Sequence, residues 1–147
     1  MEQRQGKELK EFNSIYRELD GIYHEIALHM GLSDSAFLIL YAVAEFGEGF
    51  LQKDITAHFF VSKQTVHSAV GALEKKGLLE LRRGKRREMH MYLTAAGRQF
   101  VEEKIAPVQD AENLVFTEMG EDESREFLRL GRKYTALLRE KTGEKSI

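Results

Sequence analysis

Two short stretches hold residues whose types and spacing could do chemistry on a polyanion. The first is "RRGKRRE", Arg82 to Glu88, where five basic residues occupy six positions. Guanidinium and ammonium groups that neutralise phosphates release condensed counterions, a large part of nucleic-acid binding free energy. The second is "SKQTVHSAVGALEKK", from Ser62. If it is helical, Val66, Val70 and Leu73 share an inner face, and Lys63, Gln64, His67, Ser68 and Gly71 point outward. Gln64 could contact adenine through two hydrogen bonds, and Lys63 could reach guanine or phosphate. Ser62 and the free N–H groups of the first turn could take a phosphate. Small residues at Ser68, Gly71 and Ala72 leave room for a groove. An amphipathic surface helix with a solvated charged loop would show the same residues. Gly71 also lowers helix stability by up to ~1 kcal/mol relative to alanine.

The charge is unevenly distributed. From Gln52 to Arg98 there are ten basic and four acidic residues, a net of +6 within a chain of net charge −2. A basic middle between acidic flanks suits a local polyanion site, or a charged surface that binds nothing.

Other chemistries find little support. Without cysteine there are no disulfides, thiolate metal sites or thiol nucleophiles. His24 and His29, His58 and His67, and His90 lack the spacing that puts two imidazoles on one helix face, so no metal or other cofactor is expected. No glycine-rich phosphate loop, nucleophile elbow or paired-carboxylate motif appears, so an enzyme is not expected and no catalytic residue is assigned. Tyr16, Tyr23 and Tyr41, with Phe37 and Phe46, could line a small-molecule cavity or simply pack a core. The longest apolar run, Ala36 to Ala44, is far short of the ~20 residues that span a bilayer. The polar start, "MEQRQGKELKEF", has no apolar signal region. A cytoplasmic protein with no membrane partner is the expectation.

The elements that must position these residues are mostly helical. Phe12, Ile15, Tyr16, Leu19, Ile22, Tyr23, Ile26 and Met30 recur at steps of three and four, predicting a long first helix ended by Gly31. Ser33 caps a second, largely apolar helix, and "GEGF" is a break. A short helix runs from Leu51 to about Phe59, a turn follows, and Ser62 caps the next helix, which Gly77 ends. The period then falls to two. Leu79 and Leu81, then Met89, Met91 and Leu93, alternate with polar residues around "RGKRR", predicting a β-hairpin. Thr94 caps a helix in which Pro107 should make a kink or a division. A last helix carries Phe127, Leu130, Tyr134, Leu137 and Leu138. The fold class is mainly α with a small β-hairpin wing: a winged helix-turn-helix (residues 32–98) flanked by N- and C-terminal dimerisation helices (8–31 and 99–142), in a single domain over 1–147.

The stretch "QKDITAHFFVSKQTVHSAVGALEKKGLLELRRGKRREMHMYLTAAG" resembles the MarR family of bacterial transcriptional regulators, through "DIT", "VSKQTV", "LEKKGLL", the basic wing and "LTAAG". The resemblance implies a homodimer that binds a palindromic operator in double-stranded DNA, usually as a repressor relieved by a small-molecule effector. Carried over by position, Lys63, Gln64, Thr65, His67 and Ser68 match the recognition helix, and Arg86 and Arg87 match the wing tip, with Arg83 and Lys85 beside them. Two departures stand out. The family wing often has an aspartate before its arginine pair that braces the loop; here Lys85 stands there, which predicts a looser, more purely electrostatic wing. Phe60 occupies a turn position where a small or polar residue is more usual. The alternative function is a winged-helix protein-interaction adaptor without DNA binding.

Overall fold

The computed structural model describes residues 4–143. The ends of the expected 1–147 domain, residues 1–3 and 144–147, lie outside the described residues. The described chain falls into two compact units divided between Ala106 and Pro107.

The first unit begins with α1 (Lys7–His29) and α2 (Asp34–Phe46), then β1 (Phe50–Leu51), α3 (Gln52–Phe59) and α4 (Lys63–Lys75). Strands β2 (Leu79–Arg83) and β3 (Met89–Leu93) form the hairpin, followed by α5 (Ala95–Phe100) and a π-helical turn at Val101–Ile105. The capping residues act as their types dictate. The hydroxyls of Ser33, Ser62 and Thr94 accept hydrogen bonds from the N–H groups of Ala36, Thr65 and Gly97, satisfying donors that the helix start leaves free. Gly31 and Gly77, with φ of 71° and 72°, turn the chain out of α1 and α4.

Helix α2 is central. Ala36, Phe37, Ile39, Leu40, Ala42 and Val43 are all buried, and the helix packs against α4, α1 and the π-helical turn. Val66, Ala69, Val70 and Leu73 of α4 complete this core with Ile55, Leu79, Met91, Leu93 and Ile105. The predicted hairpin gains a third strand. The sequence reads "GEGF" as a break, but Phe50 and Leu51 pair antiparallel with Met91 and His90, so the sheet order is β1-β3-β2. Glycines 47 and 49, with φ of 92° and 87°, let the chain turn into this strand.

The expected break at Pro107 takes another form. The Ala106 N–H donates to the Val101 carbonyl, five residues back, so the helical register widens just before the residue with no N–H to give.

The second unit contains α6 (Ala106–Met119) from Pro107 onward and α7 (Glu121–Thr142). Gly120, at φ 85°, makes the turn, and the Ser124 hydroxyl donates to the Phe116 carbonyl at 2.9 Å. No residue from Pro107 to Gly143 is buried. Leu114, Val115, Phe127, Leu130, Tyr134, Leu137 and Leu138 are exposed, as are Phe12, Ile15, Tyr16, Leu19 and Ile22 of α1. Their periodicity predicts buried faces, yet in the single chain these faces stand open to water. No single helix among the described residues is long and apolar enough to cross a membrane.

The hairpin base is held by backbone. The Thr94 N–H donates to the Leu78 carbonyl at 3.2 Å, and its hydroxyl donates to the Gly77 carbonyl at 2.5 Å. A Cβ on Gly97 would lie 1.9 Å from the Leu78 carbonyl oxygen. Gly97→Ala should therefore destabilise the protein by at least ~1–3 kcal/mol. Gly71→Ala in α4, where a Cβ meets nothing within 4 Å, should stabilise it by up to ~1 kcal/mol. Urea unfolding of both variants checks this, and a neutral Gly97→Ala would contradict the close approach.

Candidate nucleic-acid interface

The start of α4 is built by its cap. Ser62 and Thr65 share a hydrogen bond between hydroxyls at 2.7 Å, and Ser62 also accepts from the Thr65 N–H at 3.1 Å. These two set the first turn of α4, and Thr65, matched by the resemblance to a recognition helix, is half-buried. Lys63, Gln64, His67 and Ser68 are exposed, opposite the buried Val66, Ala69 and Val70. Of the outward face deduced from periodicity, Gly71 alone is half-buried rather than exposed.

The wing tip is a three-residue loop, Lys85-Arg86-Arg87. The Gly84 N–H donates to the Glu88 carbonyl at 2.7 Å, and the Arg87 N–H returns to the Gly84 carbonyl at 3.2 Å. Arg87 has φ 65°, a left-handed position that such loops usually give to glycine. Arg83, Lys85, Arg86 and Arg87 are all exposed. Arg82 differs: its guanidinium bonds to the Glu80 carboxylate and sits 4.2 Å from the centre of the Tyr92 ring. It stiffens the hairpin, leaving four cations of the basic stretch turned to solvent.

The wing is not left unbraced by Lys85, as its sequence suggested. The brace comes from the other side of the arginine pair. His90 on β3 has Nδ1 2.8 Å from the Gly49 carbonyl oxygen and Nε2 3.2 Å from Glu88 Oε1. Both partners are acceptors, so only the doubly protonated imidazolium donates to both. The Gly49 carbonyl and then Glu88 push the His90 pKa up, with Asp54 adding to it. The backbone of Glu88, then His90, hold the Glu88 carboxyl below its usual range. Gly84 makes room, since a Cβ there would lie 2.2 Å from Glu88 Oε1 and 2.8 Å from His90 Nε2.

Lys53 of α3 joins these residues. With Leu51, Arg82–Arg86, Glu88, His90 and Tyr92 it lines an open cleft of about 800 Å³ beside the wing. Sequence reasoning placed Lys53, Glu88 and His90 in no site. Alternation alone marks His90 as an outward strand residue, and its partner Gly49 lies 41 residues away.

The three tyrosines considered for ligand binding do not stand alike. Tyr23 and Tyr41 flank Phe37, with ring centroids 6.4 and 5.9 Å apart. Tyr16 lies further along α1, beside Phe12 and exposed. Among the described residues no group of three or more His, Asp or Glu could hold a metal ion.

The His90 contribution to wing stability is complete below the ordinary histidine pKa of roughly 6.5 and is lost as pH rises through its raised value. The Glu88 contribution is present above the ordinary carboxylate range and is lost as pH falls through its depressed value. The brace is therefore strongest between the two. In an NMR titration the His90 imidazole should have a midpoint above the ordinary value, moving down in Glu88→Gln. A midpoint that ignores Glu88 would contradict the brace.

Comparison with known proteins agrees with this geometry. Residues 30–88 match the model of the MarR family. No curated protein sequence matches the chain. A MarR family regulator from Neisseria meningitidis has 24% identity and a TM-score of 0.74, over 93% of this chain and 96% of its own. A putative MarR family transcriptional regulator from Listeria monocytogenes, solved with a 26mer DNA, has 20% identity and a TM-score of 0.71, over 97% and 99%. Staphylococcus aureus MarR, solved with salicylate and kanamycin, has 19% identity and a TM-score of 0.69, over 89% of each chain. Residues 30–88 thus match the MarR family model, and the chain has the winged-helix fold of these solved structures.

Proposed function

We propose that this protein is a sequence-specific DNA-binding transcriptional regulator that acts as a homodimer on a palindromic operator. One observation carries the reading. The polar face of α4 and four wing cations, which form no ion pair with another described residue, are exposed on one lobe. A recognition helix lies in the major groove, where Lys63, Gln64, His67 and Ser68 meet base edges. Arg83, Lys85, Arg86 and Arg87 neutralise adjacent phosphates, joined by Lys53. The uncovered apolar stripes of α1 and α7 support pairing of two chains, because an amphipathic helix with its apolar face in water has lost the burial that stabilises it.

The regulation is repression relieved by a small-molecule effector that prefers the DNA-incompetent state. Tyr16, Tyr23 and Tyr41 are its proposed contacts, and the solved S. aureus structure with salicylate and kanamycin supports a small-molecule effector. The competing reading, an adaptor that keeps the fold without binding DNA, predicts no salt-dependent affinity for duplex.

Fluorescence anisotropy with duplex DNA across a salt series separates the two. The parent should lose affinity steeply with salt. Arg86→Ala with Arg87→Ala should weaken all sequences alike and make the log–log slope shallower by ~1 for each phosphate no longer neutralised. Gln64→Ala should cost ~1–3 kcal/mol and relax base preference at one operator position. Parental binding that ignores salt would favour the adaptor.

A further inference from the structure

Phe60 has no account within the protein. It ends α3 in the left-handed conformation, with φ 54° and ψ 36°. Glycine or asparagine adopts this at little cost, whereas a bulky side chain there crowds its own backbone. Burial does not compensate. Phe60 is 82% exposed, the most exposed large apolar residue among those described, while its neighbour Phe59 packs edge-on against Phe46 at 6.1 Å. The aromatic cluster beside it, Phe46, Phe50, His58 and Phe59, closes without Phe60. Backbone and solvent both disfavour this side chain in the isolated molecule.

Its place in the chain is specific. Phe60 is two residues before Ser62, the cap of α4, and the exposed Lys63 and Gln64 follow at once. Among the described residues only Phe60 and Arg87 are non-glycine residues with positive φ. One borders the helix start that carries base-reading groups and the other is the wing tip. Strained residues concentrate where the surroundings of function demand them.

We propose that the Phe60 ring is a base-reading contact: it lies against the 5-methyl group of a thymine at the mouth of the major groove entered by α4. The thymine methyl is the one apolar group that a base pair shows in that groove, and phenylalanine is among the side chains that read it. The turn before a recognition helix comes to the groove edge together with the helix start. Phenylalanine has only two side-chain torsions to order, and contact with that methyl removes both apolar surfaces from water. The proposal rests on the DNA-binding reading above and adds a specificity element outside the recognition helix.

The test uses the full chain and its best duplex from a random pool, with each thymine replaced singly by uracil, which deletes only the methyl. At one position per half-site the parent should lose affinity by about fourfold, the size of one buried methyl. Phe60→Gly and Phe60→Asn change both protomers, so they should bind the thymine duplex about as weakly as the parent binds a duplex with uracil in both half-sites, about sixteenfold, and should lose nothing further on uracil. Phe60→Leu should keep part of the thymine preference. Both Gly and Asn variants should melt no lower than the parent, since each relieves the left-handed backbone. If parent and variants respond alike to every uracil, the proposal is wrong while DNA binding stands. If the parent selects no duplex at all, both fail together.

Discussion

The arrangement depends on a close backbone contact, the approach of Gly97 to the Leu78 carbonyl, together with the two hydrogen bonds of Thr94 to Gly77 and Leu78. Leu78 is where the chain leaves α4 for the hairpin, and Thr94 is where it leaves the hairpin for α5. Clamping the two points together fixes the base of the wing to the end of α4. The buried face of α4 meanwhile anchors that helix to α2. The helix face and the hairpin are thereby held in one relation by atoms with no role in binding. Glu48 reinforces the base by accepting from the Leu93 N–H at 2.9 Å and from the Arg98 guanidinium at 3.0 Å.

Upon this base the charged groups divide into two kinds. Arg82, Arg98, Glu48 and Glu80 are joined to each other or to aromatic surface, and they shape the hairpin. Arg83, Lys85, Arg86 and Arg87 form no ion pair with another described residue, and their charge is directed outward. Exposed ion pairs contribute little energy, but they decide which cations are free for a phosphate. The basic tip is self-repelling, and the carbonyl–imidazolium–carboxylate chain through Gly49, His90 and Glu88 holds its root without consuming its arginines.

Much of the lobe was legible in the sequence because its signals are local. Ser33, Ser62 and Thr94 sit one residue before helices, Gly31 and Gly77 just after them, and the change of period at Leu79 marks the hairpin. The outward face of α4 followed from the positions of Val66, Val70 and Leu73. What escaped is non-local. Strand β1 is two residues long and forms only by pairing with β3 some forty residues away, so "GEGF" reads as a break. Glu88 and His90 looked like an end of a charge run and an outward strand residue, because their shared partner is a carbonyl on that same hidden strand. The wide turn before Pro107 is a choice of hydrogen-bond register, which residue types do not announce. The apolar faces of α1, α6 and α7 were read correctly as apolar, but periodicity cannot say whether the same chain or another covers them.

The central claim is that two copies of this lobe read one DNA site together. Selection of bound duplexes from a random pool, using the full chain, tests it most directly. The expected result is enrichment of an inverted repeat whose half-site centres are about one helical turn, ~34–36 Å, apart or a multiple of it. Enrichment of a lone half-site, or of no sequence at all at low salt, would contradict it.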